Sequence, residues 1–133
     1  MPFPVPGAPI THILVVSDFA RSLAWYRDVL GAELDREYGG TSAVFSFNGA
    51  WLLVVTGGEP TPDKPETRFV PPSDIDRVSH AMTIRVPDCR AAYDALVERG
   101  AAFITPPLDN GPETRCFFRD PDGHLFEISE FRS

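Results

Sequence analysis

Two stretches of this chain set an apolar, β-branched run directly before an apolar stripe at helical spacing. In the first, Ile10 to Val16 predicts a strand, and Ser17 and Asp18 stand at its end as helix-capping residues. Phe19, Leu23, Tyr26 and Leu30 then recur at spacings of four, three and four, which predicts a helix with one apolar face. Gly31 follows as a left-handed stop. Three more strands are expected at Glu33 to Tyr38, Ser42 to Phe47 and Trp51 to Thr56, the last two joined by the hairpin signal Asn48-Gly49-Ala50.

The order then repeats. A strand is predicted over Ser79 to Val86, a cap at Asp88, and a helix with Ala92, Tyr93, Leu96 and Val97 inward and Gly100 as its stop. A short strand near Ala102 to Thr105 precedes strands at Arg115 to Arg119 and Leu125 to Phe131, which flank the turn Asp120-Pro121-Asp122-Gly123. His80 lies 68 positions after His12, and Gly100 lies 69 after Gly31, so the halves share one spacing. The expected fold is α+β, one domain over residues 1–133 built from two tandem βαβββ modules. Module one takes about residues 10–57, a connecting loop about 57–77, and module two about 78–131. The loop and the stretch from Pro106 to Thr114 are each long enough to act as a lid, although the first reads more simply as a crossover between modules.

Composition narrows the class. With 43% hydrophobic and 23% charged residues, 133 residues can bury a real core, and the 14 prolines fall in the expected loops. A net charge of -7 without clustered Lys and Arg argues against nucleic-acid or anionic-membrane partners. No apolar run reaches membrane-spanning length, and the start lacks a signal-peptide pattern, so a cytoplasmic location is expected. Cys89 and Cys116 form neither a disulfide framework nor a zinc spacing. Cys89 opens a helix, where the dipole would lower its pKa, although simple packing is the favoured role.

Side chains alternate across a strand, so His12 shares a face with Leu14 and Val16, His80 with Met82 and Ile84, and Glu127 with Leu125 and Ser129. If the sheets curve toward a common hollow, His12, His80 and Glu127 meet in it. Two imidazoles and a carboxylate leave open positions on a divalent cation, the arrangement of Lewis-acid sites. His124, an odd three positions from Glu127, is expected to flank the turn at the surface. Asp120 and Asp122 read as turn formers.

These features resemble the vicinal oxygen chelate superfamily, which includes glyoxalase I, extradiol dioxygenases, methylmalonyl-CoA epimerase, fosfomycin-resistance thiol transferases and bleomycin-resistance proteins. The residues that carry the resemblance are His12 and His80 opening the modules, the run Asp18-x-x-Arg21-Ser22-Leu23-x-x-Tyr26-x-x-x-Leu30-Gly31, and Asp120-Pro121-Asp122-Gly123-His124-x-x-Glu127. The resemblance implies curved mixed sheets around a central cavity, His12, His80 and Glu127 as ligands of Fe, Mn, Zn or Ni, a small oxygen-rich substrate, and a homodimer. Glyoxalase I and the epimerase carry a further ligand on the fourth strand. Trp51 to Val55 offers none, which points away from lactoylglutathione lyase chemistry. Two classes of function follow. One is a metal-dependent lyase, isomerase or dioxygenase, with Phe45, Phe47, Trp51 and Phe117 as pocket walls and Arg115 facing a substrate anion. The other is a metal-free protein that sequesters a drug or metabolite.

Overall fold

The structure is a computed structural model and describes residues 2–131. Its first sheet comprises β1 (Thr11–Val16), β2 (Glu33–Tyr38), β3 (Ser42–Phe47) and β4 (Ala50–Thr56) in the order β1-β4-β3-β2, with β1 parallel to β4 and the other pairs antiparallel. The second comprises β5 (Ala81–Arg85), β6 (Ala102–Phe103), β7 (Leu108–Asp109), β8 (Glu113–Arg119) and β9 (Leu125–Phe131). Its order is β5-β9-β8-β6, with β7 also on β8, and β5 is parallel to β9. Each module is therefore a mixed sheet whose first and last strands run parallel, as the repeated pattern requires.

Asp18 caps α1 (Phe19–Trp25) by accepting a hydrogen bond from the Arg21 amide, and Asp88 caps α2 (Cys89–Glu98) through the Ala91 amide. The single first helix expected from the spacing instead widens at Tyr26–Leu30 into a π-helical turn that ends on Gly31 at φ 84°. The wider turn places Trp25 beside Tyr26 on the core side, their rings 4.9 Å apart. In α2, Leu96 is buried, and Ala92 and Tyr93 pack against the core. Val97 faces outward instead, because Leu96 and Tyr93 already fill the inner side.

One core spans both modules. Trp25 and Tyr26 reach from the first half onto Phe118 and Phe126 of the second, with Trp25 and Phe126 ring centroids 5.7 Å apart and Phe118 stacked on Phe126 at 5.3 Å. The Tyr26 hydroxyl donates to Asp120 Oδ2 at 2.5 Å in the buried interior. Asp120 Oδ1 accepts the Asp122 and His124 amides, and Asp122 Oδ1 accepts the amide and hydroxyl of Ser17. The Asp-Pro-Asp-Gly turn thus closes the β8–β9 hairpin and fastens it to the β1–α1 junction. His124, expected at the surface, is half-buried with Nε2 2.7 Å from the Val15 carbonyl, because this fastening draws the turn against β1.

The segment between β4 and β5 is ordered by its own contacts. Gly58 and Phe69 exchange backbone hydrogen bonds, and Lys64 Nζ binds the carbonyls of Glu59 and Thr67. Further on, Ile75 packs under Gly123, and Arg119 holds the Ile75 carbonyl. The segment is the crossover between modules and folds back on the second. Inside the Pro106 to Thr114 stretch lies β7, a strand too short to leave a sequence signal. Predicted strands at 79–86 and 102–105 shorten to 81–85 and 102–103, while the strand expected to start at Arg115 begins at Glu113. No helix among the described residues is long and apolar enough to cross a membrane.

Candidate active site at the seam between the sheets

The edge strands β1 and β5 bring the two early histidines together. The rings of His12 and His80 lie 5.8 Å apart between centroids at a tilt of 58°. A ring nitrogen binds a metal at about 2.1 Å, which puts the ion roughly 3 Å from that ring's centre, so two rings sharing one ion lie within about 6.5 Å of each other. The observed pair meets that limit. Among the described residues, neither imidazole makes a hydrogen bond within the chain that would compete for its lone pair.

Glu127 stands elsewhere. Phe126 and Ile128 point into the core, so alternation sends Glu127 and Ser129 to the face of the second sheet away from the helices. There Thr83 donates to Glu127 Oε1 at 2.6 Å, and Arg115 lies 3.7 Å from Oε2. His12 sits on β1 in step with Leu14 and Val16, which face the helices. The common hollow expected for all three residues therefore does not form within one chain, because His12 and Glu127 belong to opposite faces. Among the described residues, no three side chains of metal-binding type gather at one point. The spacing of the two rings allows one shared divalent ion, and the carboxylate is not beside them.

The sheet face that carries Glu127 has a polar row that the residue pattern had not singled out. Arg85, Ser129 and Arg115 are register neighbours across β5, β9 and β8. Arg85 donates to Ser129 Oγ, which in turn donates to Glu113 Oε2 at 2.5 Å, and Arg115 donates to Glu113 Oε1 at 3.1 Å. The Ser129 hydroxyl holds the Glu113 carboxyl below its usual pKa, and both arginines add to the effect. Alternation in Ala81 to Arg85 was the available signal, since half-buried Met82 and Ile84, packed against the core, leave Thr83 and Arg85 on the side of Glu127.

A cleft of about 430 Å³ lies beside the seam, lined among others by His12, Phe47, Leu52, Thr83 and Arg85. That volume suits a small metabolite. Of the expected pocket walls, Phe47 lines this cleft. Phe45 does not: it is 0% exposed and packs edge-on against Tyr26, because its strand position faces the helices. Trp51 alternates with buried Leu52 and so lies on the face away from the helices, as do Arg115 and Phe117, whose side chains stack with the guanidinium 5.7 Å from the ring centroid.

Burial overrides the helix dipole at Cys89. Its thiol and that of Cys116 are buried 4.0 Å apart, and desolvation pushes Cys89 up and Cys116 up to about 12. They are packing residues. Burial likewise raises the Asp120 carboxyl, and it raises the Tyr26 phenol further, with Asp120 adding to the shift.

The fold and the paired modules are those of one superfamily, and the chain belongs to it: the glyoxalase/bleomycin resistance protein/dioxygenase superfamily matches residues 9–128. Among its curated relatives, metallothiol transferase FosB of Lysinibacillus sphaericus (strain C3-41) is 33% identical over 123 residues, covering 90% of this chain and 79% of that protein. FosB of Staphylococcus epidermidis is also 33% identical over 123 residues, with 90% and 81% covered. The crystal structure of TioX from Micromonospora sp. ML1 shares the fold at a TM-score of 0.75 and 20% identity, over 95% of this chain and 100% of that one.

Proposed function

We propose that this protein is a metal-dependent enzyme of the superfamily that acts on a small oxygen-rich metabolite in the cleft beside His12. The observation that carries the reading is the His12–His80 pair, two unbonded imidazoles at ion-sharing distance where the modules meet. His12 and His80 would supply nitrogen ligands to Fe, Mn, Zn or Ni, and Glu127 the carboxylate. The bound ion would supply Lewis acidity toward paired substrate oxygens. The similarity to metallothiol transferases supports a metal-dependent reaction.

Glu127 stays apart from the imidazoles in one chain, so the reading assigns their union to a homodimer. Support comes from the face of the first sheet away from its helices, where Ile13 is 49% exposed beside Leu53, its register partner on β4. Apolar sheet faces of this kind are ordinarily covered by a second layer. The test is elemental analysis of protein purified without chelator, beside His12→Ala, His80→Ala and Glu127→Ala, with mass measured by light scattering. Near-stoichiometric metal in a dimer, lost in each variant, supports the reading. A protein that takes up no metal on titration overturns it and leaves metal-free sequestration as the function.

A further inference from the structure

The row across the second sheet is a built oxyanion seat, and one of the chain's own carboxylates already sits in it. Arg85 and Arg115 stand one strand apart on either side of Ser129. Each guanidinium is steadied by an aromatic ring, Arg85 over Phe131 at 5.3 Å and Arg115 over Phe117 at 5.7 Å. Glu113 occupies the space between them. Its Oε1 is 3.1 Å from Arg115, and its Oε2 is 2.5 Å from the Ser129 hydroxyl and 3.5 Å from Arg85. The second carboxylate nearby, Glu127, touches only the edge of the cluster, 3.7 Å from Arg115.

Exposure shows which member is held and which are available. The Arg85 and Arg115 side chains are 62% and 44% exposed, whereas that of Glu113 is 17% exposed beneath them. The arginines thus keep donors free toward solvent while already satisfying one carboxylate, and a guanidinium presents five donors in a planar fork suited to a second oxyanion. Thr83 and Arg85 also line the cleft that His12 lines, so a molecule lying there has the seat within reach.

We propose that Arg85, Ser129 and Arg115 bind a carboxylate, phosphate or phosphonate group of a small molecule, and that Glu113 is a resident carboxylate which that group displaces. Glu113 acts as a gate: it offsets one of the two guanidinium charges when the seat is empty and sets a threshold that a weakly held anion such as chloride does not pass. The substrate class is then a small molecule with an oxyanion at one end that can accept from both guanidiniums. The inference rests on the proposed reading of this cleft as the substrate site, but it requires no metal.

The test is titration of the full-length protein with inorganic phosphate and, separately, malonate, with chloride as control. The readout is the shift of the arginine Nε–Hε NMR signals, assigned through Arg85→Lys and Arg115→Lys. The same titrations on wild type stripped with chelator separate failure of the seat from failure of the metal reading. Wild type is expected to bind phosphate or malonate weakly, with the Arg85 and Arg115 signals moving together. Glu113→Gln should tighten binding about tenfold, since removing a charge-assisted competitor is worth about that factor. Arg115→Ala should lose it, and chelator-treated wild type should bind as untreated protein does. Unchanged or weaker binding in Glu113→Gln, or shifts elsewhere with Arg85 and Arg115 unmoved, overturns the proposal.

Discussion

The two sheets share one topology yet turn different chemistry away from their helices. On the first, the outward positions of β1 and β3 are Thr11, Ile13, Val15, Ser42, Val44 and Ser46, and the middle of β4 adds Trp51, Leu53 and Val55. On the second, the equivalent surface carries Thr83, Arg85, Glu113, Arg115, Glu127 and Ser129, tied into one network. The helix-facing sides are alike, since both feed the single core of Phe45, Tyr26, Phe118 and Phe126. A duplicated module is thus constrained on the side that holds the fold together and free to diverge on the other. Here one face has become largely apolar and the other carries a network of charged and hydroxyl side chains.

The shared side should be the most sensitive to change. Phe126→Ala is expected to cost about 3–5 kcal/mol in urea denaturation, with both modules lost in one transition. Two separate transitions would show that the halves are stabilised independently.

Tyr26→Phe removes one hydrogen bond across the modules and should cost about 1–3 kcal/mol, because it strands a buried carboxyl. Asp120 also supplies a pH signature. Its folded pKa is raised, chiefly by burial, so its favourable contribution is complete below the ordinary carboxyl range and is lost as pH rises through the raised value. Melting temperatures of wild type measured against Asp120→Asn should therefore fall in relative terms as pH rises above the ordinary carboxyl range. A flat difference would mean that Asp120 keeps an ordinary pKa.

On the outward faces, substitutions should leave folding nearly intact and alter association or binding instead. Leu53→Glu is expected to weaken the proposed dimer at least tenfold in sedimentation while moving stability by about 0.5 kcal/mol. Unchanged dimerisation would place the interface elsewhere.

The smallest effect belongs to Glu113, which is titrated in the opposite sense to Asp120. Its folded pKa is lowered, chiefly by Ser129, so its contribution is present above the ordinary carboxyl range and lost as pH falls through the lowered value. The stability difference between wild type and Glu113→Gln should be slight at pH 7 and absent at the acidic end. A difference that grows with acid would contradict the assigned network.

Much of this contrast was legible in the residues themselves. Caps at Asp18 and Asp88, the stop Gly31 and the hairpin Asn48-Gly49 marked element ends to within about two residues, because each is a local backbone requirement. Placement of the two histidines at matching module starts anticipated their meeting at the seam. What the pattern did not carry was set by contacts distant in sequence. The widened turn sets Tyr26 against Phe126, a hundred positions away, and Phe45 reads equally well as a pocket wall or a core residue until its neighbours are known. Glu113 and Ser129 look like ordinary surface polar residues, 16 positions apart, until β8 and β9 pair.

The turn at Asp120 to Gly123 also bears on how far the two halves remain interchangeable. In the first module the equivalent hairpin closes with Asn48 and Gly49, which make the bend but offer no carboxylates to a neighbour. A chain assembled from two copies of the first module would still contain both helices and every strand of the fold except the short β7. It would lack the latch that joins Ser17 and Tyr26 to the opposite half, and its two sheets would be left to find their relative placement by apolar contact alone.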